Sequence, residues 1–153
     1  MDLRSPDIAP NATIANQQIY TRCGGRNISP ALSWSGAPAG TKSISLTMID
    51  LDVKPSGWAH WIVTGLPPSV TLLPKGIPSL PQGANALTSD LGPAGYGGPC
   101  PPVGSGLHHY QFTIWALPTT SLSIAPKMPP FAIRATLAKQ ALAHASFTGT
   151  LQR

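Results

Sequence analysis

Proline and glycine interrupt this chain along almost its whole length, and no other feature restricts its fold as strongly. The 153 residues include 18 prolines and 15 glycines, which follow no period, so a collagen-like repeat is excluded. Proline breaks helices and glycine favours turns, so this spacing predicts a loop-rich, mainly β fold. The length fits one domain, residues 1–153, and allows a sizeable hydrophobic core.

Three stretches have the pattern of β-strands. Residues 43–49 alternate apolar and hydroxyl side chains, residues 59–66 are apolar on both faces, and residues 110–117 are rich in aromatic and β-branched side chains. Residues 31–34 and 147–151 are shorter and weaker strand candidates. These patterns predict a sheet whose central strand is buried on both sides.

The last part of the chain changes period. Residues 131–144 place apolar side chains three to four positions apart, directly after Pro129 and Pro130, and this pattern predicts a C-terminal helix. Residues 69–106 show no regular pattern, and an ordered loop of that length usually has a function.

Charge and cysteine content restrict the partners and the compartment. The formal net charge is +5, but the basic residues are scattered, so we expect no nucleic-acid binding and a mild preference for anions. No apolar stretch approaches the ~20 residues of a transmembrane segment, and the N-terminus lacks a signal-peptide pattern. We therefore expect a cytoplasmic protein, in which free thiols at Cys23 and Cys100 are favoured and a disulfide between them is the alternative.

Two acids and one histidine lie close together in the chain near strand ends. Asp50 and Asp52 follow the first strong strand, and their spacing directs both to one side of an extended chain, although a solvated turn is the simpler interpretation. His60 lies between Trp58 and Trp61, where a histidine is more often a hydrogen-bonded core residue than a ligand. Such surroundings also suit a binding site.

The sharpest local feature is the segment from residue 95 to residue 110, which is rich in glycine and proline. Glycines allow backbone N–H groups to turn toward an anion, and prolines keep a loop stiff, although a plain tight turn explains the same residues. On the strand that follows, His108 and Tyr110 share one face. The glycines do not lead into a helix, so no nucleotide-binding fingerprint is present.

The sequence offers little support for a metal site or for a nucleophilic active site. No close pair of ligands has zinc spacing, so we expect no metal and no cofactor. Cys100 lies between prolines without a helix N-terminus to activate it, so a cysteine enzyme is not favoured.

Four segments, taken in order, resemble the phosphatidylethanolamine-binding family, also called Raf-kinase-inhibitor-like proteins. Residues 23–34 resemble its N-terminal SP-x-L-x-W segment, residues 50–53 stand where it has its D-P-D-A-P motif, and residues 58–61 resemble its W-x-H-W element. Residues 98–110 resemble its G-P-C-P-P and H-x-Y signature. Leu51, Val53 and His109 depart from the family pattern, which affects the rim of the expected pocket.

The resemblance implies a fold and a function. The fold would be an antiparallel β-sandwich with Greek-key connections and peripheral helices. A small cavity would bind phosphate-like anions or phospholipid head groups, without catalysis, in a homodimer like those of bacterial members. Carried over residue by residue, the cavity would be lined by Asp50, Asp52, Trp58, His60, Cys100, Pro101, Pro102, His108 and Tyr110.

Two other functions stay open. The family includes inhibitors of kinases and proteases, which predicts a protein partner at the pocket mouth. A hydrolase that uses the acids and histidines as general acid and base is the third interpretation. In the binding interpretation, an aspartate orients one histidine and favours its cationic form, so anion affinity would fall above pH ~6.5.

Overall fold

Two antiparallel sheets and one helix make up the described part of the chain. The structure is a computed structural model that describes residues 1–125 and 127–153. The elements, in chain order, are β1 (Asp2–Arg4), β2 (Leu32–Ser35), β3 (Ser43–Asp50), β4 (Trp58–Leu66), β5 (Leu72–Leu73), β6 (Asn85–Ala86), β7 (His108–Leu117), α1 (Pro130–Gln140) and β8 (Ala143–Leu151).

The strands form a large sheet and a small one. The order in the large sheet is β6-β4-β3-β7-β8, and the order in the small sheet is β1-β2-β5. β3 and β4 pair as neighbours in sequence, but β7 joins the sheet beside β3 rather than beside β6. The mainly β sandwich predicted from the sequence is confirmed, with long connections between the strands.

The large sheet is covered on both faces, which explains why all of β3 is buried. Ile44, Leu46 and Met48 belong to the core between the sheets, together with Leu3 and Trp34 of the small sheet. The opposite face of the large sheet packs against α1, and a second cluster of buried apolar side chains lies there. The apolar side chains of β3 therefore mark the inter-sheet face.

Hydroxyl side chains occupy the helix-facing side of β3. Ser45 and Thr47 are buried there, and the indole nitrogen of Trp115 donates to Thr47 Oγ1 at 3.0 Å. Ile133 and Leu137 are the residues of α1 that are fully buried over this face. Burial on both sides makes β3 the centre of the domain.

The C-terminal helix is shorter than the sequence predicts. α1 ends at Gln140, and Ala143 and His144 belong to β8. The backbone N–H of Leu142 donates to Ala116 O at 2.8 Å, and Ala143 pairs with Ala116. Hydrogen bonding to β7 thus ends the helical pattern early. The prediction that the helix continues to residue 144 is wrong.

Cys23 and Cys100 are joined in a disulfide, so the prediction of two free thiols is wrong. Their segments run side by side, because Tyr20 N donates to Pro99 O at 3.0 Å and Gly98 N donates to Asn27 Oδ1 at 2.7 Å. This pairing brings together sulfurs that are 77 positions apart in the sequence. None of the helices in the described residues has the length and hydropathy needed to cross a membrane.

Candidate functional site

Three strands of the large sheet end at the same level and bring the predicted residues together. Asp50 is in register with Trp58 on β4 and with Tyr110 on β7. His108 lies two residues before Tyr110 and is buried on the same side of its strand. The end of the sheet therefore collects side chains that are more than fifty residues apart in the sequence.

An irregularity in β4 positions His60. Met48 pairs with Trp61 while Ile49 pairs with Ala59, so the pairing skips His60 between them. Such a bulge redirects the side chain of the extra residue, and bulges are common beside functional sites. The backbone on either side is held by the loop, because Asp90 N donates to Ala59 O and Gly97 N donates to His60 O.

The hydrogen bonds of His60 fix which ring nitrogen carries its proton. Nδ1 lies 3.0 Å from Gly97 O and 3.1 Å from Gly98 O. Both carbonyls can only accept, so Nδ1 is the donor and Nε2 is the nitrogen left for a ligand. Burial lowers the pKa of His60 below its ordinary value, although the carbonyls and the Asp50 charge oppose this shift. Near neutral pH the ring is therefore uncharged, with Nε2 as an acceptor.

His108 is bonded at both of its ring nitrogens. Nδ1 lies 2.6 Å from Asp50 Oδ2, and Nε2 lies 2.9 Å from Ser105 Oγ. Ser105 Oγ also lies 2.7 Å from Pro102 O, so the hydroxyl is held between the His108 ring and the wall. Asp50 therefore orients the ring, and Ser105 occupies the place that a ligand oxygen would take.

Asp52 faces away from this group. Its Oδ2 accepts from the backbone N–H of His109 at 2.7 Å and lies 2.9 Å from His109 Nδ1. Burial raises the pKa of the Asp52 carboxyl, but the hydrogen bonds from His109 outweigh it and lower the pKa below its ordinary value. The Asp52 carboxylate therefore does not join Asp50 at the hollow, because the chain turns after β3 ends and only the backbone N–H of Asp52 contacts Asp50.

A hollow of about 270 Å³ lies beside Asp50, His60 and His108. The glycine- and proline-rich segment, residues 95–110, supplies one wall of the hollow. The Cys23–Cys100 disulfide joins this wall to the N-terminal segment around residue 23, and the carbonyls of Gly97 and Gly98 accept from His60. The residues that line the hollow are Asp50, Val53, Trp58, His60, Leu91, Cys100, Pro101, Pro102 and His108.

Seven of the nine residues predicted from the sequence line this hollow; Asp52 and Tyr110 do not. The Tyr110 ring lies beneath it, edge-on to His60 with centroids 5.2 Å apart. Burial raises the pKa of the Tyr110 hydroxyl, and the nearby Asp50 carboxylate adds to this shift. Tyr110 supports the floor of the site.

Sequence reasoning missed three residues at the site. Val53 and Leu91 line the hollow, and Ser105 bonds to His108. The G-S-G sequence around Ser105 signalled a turn, but nothing local showed that its hydroxyl would reach a histidine. Pro55, which follows a cis peptide bond, lies one residue after the position of the last proline in the family's D-P-D-A-P motif.

No group of histidine, cysteine and acidic side chains in residues 1–125 and 127–153 is arranged to hold a metal ion. A larger groove, of about 610 Å³, lies between residues 2–11 and β8. Its ionisable lining residues are Asp2 and Arg4, which pair with each other at the surface. The smaller hollow at the strand ends is therefore the place where buried ionisable groups converge.

Comparison with known proteins finds related sequences. UPF0098 protein YbcL of Escherichia coli is 47% identical over 108 residues, which are 67% of this chain and 59% of YbcL. This chain thus matches less than two thirds of the length of that relative. A mycobacterial relative, LppC of Mycobacterium tuberculosis, is named as a candidate lipoprotein and is 38% identical over 146 residues, 95% of this chain and 67% of LppC.

Solved structures give the same result. The crystal structure of Escherichia coli YbcL, described as a new member of the mammalian PEBP family, superposes with a TM-score of 0.92 at 36% identity, over 99% of this chain and 98% of that chain. Carboxypeptidase Y inhibitor, solved in complex with its cognate proteinase, has a TM-score of 0.58 at 19% identity, over 93% and 76% of the two chains. The second likeness concerns the fold alone.

The family model for phosphatidylethanolamine-binding protein matches residues 4–152, nearly the whole chain. The resemblance drawn from the four sequence segments is thereby confirmed. This chain belongs to the phosphatidylethanolamine-binding protein family.

Proposed function

We propose that this protein binds a small phosphate-like anion, such as a phospholipid head group, in the hollow at the strand ends and does not turn it over. The observation that carries the proposal is the convergence of Asp50, His60 and His108 from three strands on one hollow. Both histidines are buried and fixed by hydrogen bonds, so little ordering entropy would be lost on binding.

The ligand oxygens would take over contacts that the protein now makes internally. An anionic oxygen that displaces Ser105 Oγ would accept from His108 Nε2–H, a charge-assisted bond stronger than a neutral one. A second oxygen would accept from His60 Nε2 once that ring is protonated. Asp50 repels the anion but holds His108 in the donating orientation.

The absence of turnover is part of the proposal. Cys100 is bonded to Cys23, so the cysteine in the wall is not available as a nucleophile. Incubation with phosphomonoesters, carboxylic esters and peptides should give no product. Sustained hydrolysis would support the acid–base interpretation instead.

The experiment that tests binding is calorimetric titration of phosphoethanolamine and inorganic phosphate into wild type, His108→Ala and His109→Ala. His109 is the neighbouring histidine, but it is partly exposed and bonded to Asp52 outside the hollow. We expect His108→Ala to weaken binding by about 2–4 kcal/mol and His109→Ala to leave it nearly unchanged. Equal affinities of all three proteins would remove His108 from the site.

A kinase or protease inhibitor is the second candidate function. Trp58 lines the hollow and is 39% exposed, and Val103 and Leu107 lie at the surface between Pro102 and His108. Exposed apolar side chains of this kind would suit a protein partner. Inhibition of a serine carboxypeptidase or a protein kinase, abolished by Trp58→Ala, would favour this function over simple ligand binding.

Homodimer formation and compartment are also proposals. Light scattering of the purified protein tests the expected dimer. A cytoplasmic location stays a prediction, and the Cys23–Cys100 disulfide argues against it because such bonds persist mainly in oxidising compartments. Fractionation of cells that express the complete protein would decide the compartment.

A further inference from the structure

The disulfide between Cys23 and Cys100 connects the wall of the hollow with the N-terminal segment. Cys100 lines the hollow, whereas Cys23 ends a short 3₁₀ turn, Thr21–Cys23. Both cysteines are partly exposed. The bond therefore lies beside the hollow, and a small molecule that enters the hollow meets Cys100 in its wall.

A cation distinguishes the two sulfurs. The guanidinium of Arg153 donates from Nη1 to Cys23 Sγ at 2.6 Å and to Pro101 O at 3.3 Å. A positive charge beside a sulfur stabilises its thiolate. In thiol–disulfide exchange, the sulfur that forms the more stable thiolate leaves faster. Cys23 is therefore the better leaving group, and Cys100 is the sulfur that an incoming thiolate attacks.

The charges near the hollow favour an anionic thiol. Asp50 and Asp52 each accept from a neighbouring histidine, and Asp90 accepts from the backbone of Ala59. Arg22 and Arg153 lie in the segments beside the disulfide, and the chain carries a net charge of +5. An anion that approaches the disulfide from the side of these two arginines thus meets a positive field that salt would screen, whereas Asp50 inside the hollow repels it.

We propose that the disulfide is a reversible modification site for small anionic thiols, with Cys100 as the modified residue. The thiolate bonds to Cys100 Sγ, the Cys23–Cys100 bond breaks, and its electron pair leaves with Cys23 as a thiolate beside Arg153. No oxidant or reductant is consumed, because one disulfide replaces another. The reverse attack of Cys23 on Cys100 expels the small thiolate.

The modification would control the hollow. A group attached to Cys100 occupies space that the phosphate-like ligand would take, and the proline-rich wall loses its covalent link to the N-terminal segment. This consequence rests on the proposed function, but the formation of the adduct does not.

The experiment exposes the oxidised protein to 2-mercaptoethanesulfonate or, in parallel, to cationic cysteamine, and then quenches with iodoacetamide. Intact mass and peptide mapping locate the groups. We expect the small thiol on Cys100 and the alkyl group on Cys23, with a sulfonate rate several-fold above the cysteamine rate at low salt, after correction for thiolate fraction.

Two arginine variants test the role of the cation. Arg153→Gln removes the charge beside Cys23 and should slow the exchange at least about threefold. Arg22→Gln removes a basic side chain from the same 3₁₀ turn as Cys23. Among the hydrogen bonds of the described residues, the one to Cys23 Sγ comes from Arg153 and not from Arg22, so Arg22→Gln should change the rate less. Mapping of the adduct to Cys23, or equal rates for the two variants, would overturn the proposal.

Titration of phosphoethanolamine into the oxidised protein and into the purified adduct distinguishes the proposed anion binding from the proposed modification of Cys100. We expect binding by the oxidised form and a loss of at least about tenfold in the adduct. If neither form binds while Cys100 carries the thiol, the proposed function fails and the modification site stands. If both bind equally, control of the hollow by modification fails.

Discussion

Asp50 Oδ2 lies 2.6 Å from His108 Nδ1, and only 4% and 8% of the two side chains are exposed. One residue further along β7, His109 pairs with Asp52 at 2.9 Å, with 43% and 37% exposed. The same two strand ends therefore carry one buried and one exposed aspartate–histidine pair. Because neighbouring residues of a strand face opposite sides, His108 serves the hollow and His109 serves the surface.

The two pairs allow a matched test of burial. Asp50 accepts from both His108 and the backbone of Asp52, so Asp50→Asn must lose or weaken one of these bonds. We expect a loss of about 2–4 kcal/mol in the free energy of unfolding, measured by urea denaturation. Asp52→Asn, at the exposed pair, should cost less than about 1 kcal/mol. Equal losses would show that burial does not determine the strength of these pairs.

Ligand affinity should depend on pH through His60. Its pKa is lowered in the free protein, so the ring is neutral at pH 7 and takes up a proton when an anion binds. Affinity should therefore rise as pH falls through and below the reference value of ~6.5 and should decline above it. Calorimetry in buffers of different ionisation enthalpy measures the proton uptake. A His60→Gln variant should lose this uptake, and its persistence would assign it to another group.

Ser105 should compete with the ligand for His108. Ser105 Oγ lies 2.9 Å from Nε2, so Ser105→Ala frees this nitrogen for the ligand, at the cost of the hydrogen bond from the serine to Pro102 O in the wall. We expect phosphate affinity to increase about twofold to tenfold, which corresponds to one neutral hydrogen bond. Isothermal titration of the variant beside wild type measures the difference. Weaker binding would mean that the serine contacts the ligand rather than replacing it.

Gly98 should tolerate no side chain. A Cβ at this position would lie 2.0 Å from Gln18 O, which is backbone and cannot move without opening the contact between the wall and the N-terminal segment. Gly98→Ala should lower the free energy of unfolding by about 3 kcal/mol or more.

Gly97→Ala is the control for this prediction, since its nearest obstacle is the flexible end of the Leu91 side chain. It should cost clearly less in the same denaturation experiment. A similar cost for both variants would show that the approach of the N-terminal backbone is not what requires glycine at position 98.

The sequence alone predicted the strands whose apolar side chains follow a clear pattern. β3, β4 and β7 were predicted to within two residues at each end, because each strand lies in the middle of the sheet and its apolar side chains repeat accordingly. The short strands β1, β5 and β6 were missed, since two or three residues carry no period. The helix prediction failed where β8 begins, because hydrogen bonds to β7 outweighed the local pattern.

The amino-acid sequence was sufficient to identify the family and seven of the residues around the hollow, because these depend on residue types in a fixed order. Only the tertiary structure decided how they act: the bulge that turns His60, the hydroxyl of Ser105 on His108, the outward direction of Asp52 and the disulfide across 77 positions. Each of these depends on where distant backbone segments meet, and local periodicity carries no record of such contacts.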